Sequence, residues 1–246
     1  MLMARKSTSR TAETKQEKVD PPKTLKDHPF FGLKLDKEQE AFRDAIWDDR
    51  YKIVFCDAKS GSGKTTVAVA TALLLCEYGK YNGVMYVVAG GVHEYKQGLL
   101  PGSLEEKSAP LFAPLYQAVN RLGYDPQRVI VNDYNMIAQK EGSALITAQT
   151  DSYIRGISYG EADRPVVVLL DEAQNLTSRG MVTALTRINS GSKAIVLGQT
   201  KQCDLKYPQD SGFAPLTNHF SSKEWCKVCK LSTNYRGEIS AWADEF

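Results

Sequence analysis

Two stretches of this chain gather the residue types that phosphate chemistry needs. Ala58-Lys59-Ser60-Gly61-Ser62-Gly63-Lys64-Thr65 matches the P-loop pattern at every defined position but the first, where Ala58 stands for glycine. In such a loop the backbone N–H groups cradle a β-phosphate, and the helix that follows adds its positive end. Lys64 would reach the β- and γ-phosphates, and the Thr65 hydroxyl would ligate Mg2+. The set expected to touch ATP is therefore Ala58, Lys59, Ser60, Gly61, Ser62, Gly63, Lys64, Thr65 and Thr66. About a hundred residues later the run Val166 to Leu170 ends in Asp171-Glu172. Asp171 would hold Mg2+ through water, and Glu172 would polarise the attacking water as general base. Gln202 follows a further apolar run and is either a sensor of the γ-phosphate or a polar turn residue.

Such residues work only if strands and helices bring them to one edge. Ile53 to Cys56 is an apolar run before the glycine-rich loop, and Thr65 to Tyr78 reads as a helix stopped by Gly79. Val84–Ala89, Ala144–Ala148, Val166–Leu170 and Ala194–Leu197 read as further short strands, with a helix over Ser178–Ile188. Asp36 and Gln39 form a capping pair before the stripe Leu35, Phe42, Ile46. Ser103 and Glu106 suggest a second capping box, and Pro110 and Pro114 keep that helical stretch short or broken. Strands apolar on both faces, alternating with helices, predict one α/β domain with a mostly parallel sheet covered on both sides. In such a sheet the carboxyl end of the Asp171 strand lies on the edge that carries the loop.

Residues 1–27 are basic and polar, cannot bury enough apolar surface to offset ordering, and read as a tail before a domain over 28–246. The net charge of +2 over 246 residues does not demand a polyanionic partner. No apolar run approaches a membrane span, so no membrane partner is expected. Five cysteines, an odd number, argue for a cytoplasmic protein over a disulfide framework. Cys226-x-x-Cys229 lacks a second ligand pair, although Cys203 and His219 lie near it in sequence, so no zinc is expected.

Further blocks resemble the PhoH-like, phosphate-starvation-inducible ATPases, relatives of superfamily 1 helicases. They are Gly98-Leu99-Leu100-Pro101-Gly102, Tyr153-Ile154-Arg155-Gly156, Asp171-Glu172-Ala173-Gln174-Asn175 and Leu185-Thr186-Arg187-Ile188. Glu38-Gln39 resembles the glutamine motif with which helicase-like ATPases read adenine, and Asn234-Tyr235-Arg236-Gly237 resembles a motif whose arginine reaches a γ-phosphate. The chain departs from the family at Ala58, at Gln199 in place of Asp, and at Ala89-Gly90-Gly91 in place of an Arg-Pro pair. The resemblance implies a RecA-like P-loop NTPase domain, ATP hydrolysis, ring-like oligomers and an RNA-helicase role, with single-stranded RNA or DNA as partner.

Fewer than fifty residues follow Gln202, too few for a second α/β core. Arg236 is therefore expected to act in trans in a cyclic homo-oligomer, a hexamer, with Arg187 and Arg155 as the other candidate fingers. Two alternatives stand beside the ATPase: a nucleotide-gated scaffold and a small-molecule kinase.

Overall fold

Strands without a polar face force cover on both sides of the sheet, and the architecture meets that demand. The computed structural model describes residues 20–90, 109–132, 136–154 and 156–245. In chain order these form α1 (Lys37–Trp47), β1 (Ile53–Ala58), α2 (Lys64–Glu77), β2 (Val84–Val88), α3 (Ala113–Arg121) and a single turn α4 (Pro126–Val129). There follow β3 (Ile130–Val131), α5 (Ile137–Glu141), β4 (Ile146–Thr150), β5 (Val167–Asp171) and α6 (Ser178–Leu185). The last described elements are β6 (Lys193–Gly198), α7 (Phe213–Ser221), β7 (Cys226–Leu231) and α8 (Glu238–Ala243). One seven-stranded sheet runs in the order β3-β4-β2-β5-β6-β1-β7, parallel throughout. This is an α/β, RecA-like fold.

Side-chain patterns explain the layers. α2 is apolar all round, with Val67 to Leu75 buried, so it packs centrally rather than at the surface. It ends in a Schellman turn: Gly79 at φ +68° lets its N–H reach Cys76 O and the Lys80 N–H reach Leu75 O. α1 and α3 join it on one face of the sheet. On the other face Met181 and Ala184 of α6 pack with Phe213 of α7, and Phe55 of β1 lies 5.8 Å from the Phe220 ring. α1 opens with the expected capping box, Asp36 with Gln39. Its last carbonyls are met from below, where the buried Lys193 Nζ donates to Ile46 O and Asp48 O at 2.5 and 2.8 Å.

The structure differs from the sequence reading at the tail, at the end of α6 and at β7. The tail does not extend to residue 27: Leu25 is fully buried in the α1–α2 cluster, and Trp47 Nε1 donates to Pro22 O at 3.0 Å. One apolar anchor in a polar stretch is enough to dock it. α6 stops at Leu185, three residues before the expected Ile188. The helix beside the two prolines begins only at Ala113: Pro114 sits in its first turn, where a missing N–H costs nothing, and Pro110 lies in the 3-10 turn before it. β7 was hidden by its lysines and cysteines. The strand turns Cys226 and Cys229 to opposite faces, into different core clusters, so the two thiols cannot share a zinc ion. The Ser103–Glu106 box and Gly98–Gly102 lie outside the described residues. No described helix is long and apolar enough to cross a membrane.

Candidate functional site

β1 ends at Ala58, which closes the strand and so tolerates a Cβ where the loop pattern has glycine. The two glycines that follow are required. Gly61 and Gly63 have φ of +68° and +80°, a region costly to other residues. Gly63 is the N-cap of α2 and supplies no side-chain acceptor, which leaves the first-turn N–H groups of α2 uncapped for an anion. Ser62 Oγ is buried without a hydrogen-bond partner, an orphan of the kind a bound phosphate would relieve. Gln39 braces the loop from behind. Its Oε1 accepts from Asp36 N and its Nε2 donates to Ser62 O at 2.8 Å, so both ends of the amide expected to read adenine are already engaged.

β5 delivers its carboxylates to the same edge, with only β6 between it and β1. Thr65 Oγ1 donates to Asp171 Oδ2 at 2.8 Å, and Glu172 N donates to Asp171 Oδ1 at 2.9 Å. Glu172 sits in the left-handed region, φ 54° and ψ 36°, a conformation that costs about 1–3 kcal/mol. Its Oε1 accepts from Lys64 Nζ at 3.1 Å and its Oε2 from Gln174 Nε2 at 2.7 Å. Burial pushes the Asp171 carboxyl above its ordinary range despite the opposing Lys64 charge. Burial would raise Glu172 too, but Lys64 and Gln174 outweigh it and hold Glu172 below the usual range. Lys64 loses proton affinity to burial and regains more from Asp171 and Glu172, so its ammonium is held charged. The hydroxyl of Thr65 and the carboxylate of Asp171 form an all-oxygen donor pair, which suits Mg2+.

A third segment closes on the loop. β7 pairs with β1, so the chain leaving it crosses the loop of its own subunit. Tyr235 N donates to Gly61 O at 3.1 Å, and Arg236 Nη1 donates to Ser60 Oγ at 3.0 Å. A Cβ at Gly61 would lie 2.7 Å from Arg236 Cγ. The expectation that Arg236 needs a neighbouring subunit to reach a nucleotide is thus corrected. The missed strand β7 puts it on its own P-loop.

The sequence profile described as PhoH-like protein matches residues 34–243. The chain belongs to the PhoH-like family. Over 174 residues it is 33% identical to a PhoH-like protein of Mycobacterium leprae, covering 71% of this chain and 46% of that protein. Protein PhoH of Escherichia coli K12 is 29% identical over 181 residues, 73% of this chain and 48% of its own length. The chain spans about half the length of the curated relatives it matches. Among solved structures, the large terminase of a thermophilic bacteriophage superposes with a TM-score of 0.53 at 12% identity, covering 87% of this chain and 50% of that one. At that identity the likeness is one of fold. Family and loop together identify a P-loop nucleotide-binding core.

The other PhoH-like blocks fall in different places. Arg187 lies on the loop that returns from α6 to the start of β6, its carbonyl accepting from Tyr159 N. That is the end of the sheet opposite the P-loop. Arg155 is outside the described residues. Gln202 is exposed and turns to Asp244, its Nε2 at 3.2 Å from Oδ1, so it is Gln174 and not Gln202 that reaches Glu172. Gln174 Oε1 accepts from Gln199 N at 3.1 Å, and Gln199 Nε2 donates to Asp244 Oδ1 at 2.6 Å. This chain of amides ties Glu172 to the tip of β6 and to the residue that follows α8. Gln174 stood in the Asp171–Asn175 block without a role assigned, and Asp244 carried no signal, since only the folded chain brings it to Gln199.

Proposed function

We propose that this PhoH-like chain hydrolyses ATP with Mg2+ at the carboxyl edge between β1 and β5. The observation that supports the reading is the double link between loop and strand: Thr65 with Asp171 at 2.8 Å, and Lys64 with Glu172 at 3.1 Å. The uncapped N–H groups of α2 receive the β-phosphate, and Lys64 turns from Glu172 to the β- and γ-phosphate oxygens. Thr65 and Asp171 would hold Mg2+, which would supply charge neutralisation on the phosphate oxygens. Glu172, released by Lys64, takes a proton from water as the water oxygen bonds to the γ-phosphorus and the bond to the bridging oxygen breaks. ADP and phosphate leave, and Glu172 returns the proton to solvent. Arg236, already at Ser60, stabilises charge on the transferring group from within the same chain.

Coupling to single-stranded RNA or DNA extends this proposal. Its support is the helicase-type character of Asn234–Gly237. Phosphate release measured with and without added polymer tests both parts. Turnover that polymer stimulates supports the whole reading. Turnover indifferent to polymer retains the ATPase and removes the coupling. Tight nucleotide binding with no release overturns the ATPase and leaves a nucleotide-gated scaffold.

A further inference from the structure

β2 reads Val84-Met85-Tyr86-Val87-Val88, one hydroxyl in an otherwise apolar strand. Tyr86 is fully buried among the residues packed under α2. A phenol there gains nothing over phenylalanine unless its O–H is partnered, because an unpaired buried hydroxyl is costly. The partner is Asp171: Tyr86 Oη donates to Oδ2 at 2.8 Å. β2 lies beside β5 in a register that sets Tyr86 opposite Leu169 and Val88 opposite Asp171. The ring therefore climbs one pleat to meet the carboxylate from below. Thr65 Oγ1 meets the same oxygen from α2, and Glu172 N holds the other. Donors from three elements fix a carboxylate that is only 1% exposed.

We propose that Tyr86 is a positioning residue for the metal site, holding Asp171 in the one orientation that serves both the Thr65 hydroxyl and Mg2+. The inference rests on the Mg-nucleotide reading above. Without the phenol, Oδ2 keeps a single donor, and the carboxylate can turn about its Cα–Cβ bond in a space that no longer specifies its direction. Tyr86 touches no nucleotide, so its loss should act on metal dependence and leave metal-free binding alone.

The test is a Mg2+ titration of the binding of a fluorescent ATP analogue, run beside the same binding in EDTA. Tyr86→Phe keeps the ring and its apolar contacts. Its Mg2+ midpoint should rise about tenfold, the scale of one lost hydrogen bond to a charged group. Affinity in EDTA should stay at the parental value. The electron paramagnetic resonance spectrum of Mn2+ in the site should broaden, a change that looser packing elsewhere would not produce. Val88→Ala, on the same face of β2, should lower the melting temperature without moving the midpoint. In an Asp171→Asn background, Tyr86→Phe should add no further shift. The proposal is overturned if Tyr86→Phe leaves the midpoint within about twofold of the parent, a change smaller than one such bond is worth. It is also overturned if the shift persists without the Asp171 carboxylate, or if Tyr86→Phe does not fold. Parental protein that binds no nucleotide at all would instead sink the proposed function.

Discussion

Arg236 donates to Ser60 of its own P-loop, so the guanidinium that ends the Asn234-Tyr235-Arg236 motif lies against the loop of its own chain. The bond follows from β7 lying beside β1, and it removes the need for a neighbouring subunit to bring this arginine. Arg236→Ala should bind nucleotide and turn over at least about tenfold more slowly, while a finger in the best-studied P-loop enzymes is worth ~10³–10⁵. Mixing Arg236→Ala with Lys64→Ala subunits should restore nothing. Recovery of activity in the mixture would return Arg236 to a role in trans.

Lys64 is the residue through which loop and β5 are electrostatically joined. Lys64→Ala should weaken ATP binding by roughly two orders of magnitude or more, which is what loss of charge-assisted contacts to two phosphates costs. Titration calorimetry that finds undiminished affinity would end the P-loop assignment.

Glu172→Gln keeps the shape of the site and removes the carboxylate proposed as base. Nucleotide should stay bound, since Asp171 and Thr65 are untouched, and turnover should fall about 10²–10⁴-fold, the usual worth of general-base catalysis. A single-turnover assay reads the chemical step directly. Near-parental rates would mean that some other group takes the proton.

Leu25 is the anchor of the segment before α1. Leu25→Ala should cost about 2–4 kcal/mol in urea unfolding, because a fully buried leucine leaves a cavity when cut back. An unchanged midpoint would show that the segment docks without stabilising the core.

Lys193 gives stability a dependence on alkaline pH. Burial, reinforced by Lys80 and opposed by Asp49 and Asp48, pulls its pKa down to about 8. The unfolded lysine titrates near ~10.4. Between those values the unfolded chain holds a proton that the folded chain has released, so stability rises with pH across that window. The gain is on the order of 3 kcal/mol when complete. The neutral amine still has two N–H groups for Ile46 O and Asp48 O, so the α1 carbonyls remain satisfied. Lys193→Met should abolish the rise, and denaturation series at several pH values would detect it.

Much of this is legible in the residues alone. Uniform apolar runs mark β1, β2, β5 and β6 because both faces of a central parallel strand meet helices. Capping chemistry finds the start of α1, and Gly79 the end of α2. Asp171 falls on the edge that carries the loop because a parallel strand flanked by such elements must deliver its end there. β7 is not legible, because Lys227 and Lys230 interrupt it on both faces and leave no continuous apolar signature. The expectation that Arg236 acts in trans is a direct consequence of that missing strand. Spacing leaves Gln202 open between a sensor and a turn residue and passes over Gln174, because it cannot say which of two amides at neighbouring strand tips points to Glu172.

β7 has one last consequence, at the border of the sheet. It pairs with β1 on one side and, among the described residues, with no strand on the other, and Lys227 and Lys230 are exposed along it. A second chain adding a strand there would have to strip water from both ammonium groups, the means by which natural sheets discourage edge-to-edge growth. Aggregation by sheet extension past β7 is thus guarded, and copies of this chain that associate there should meet through helical surfaces instead.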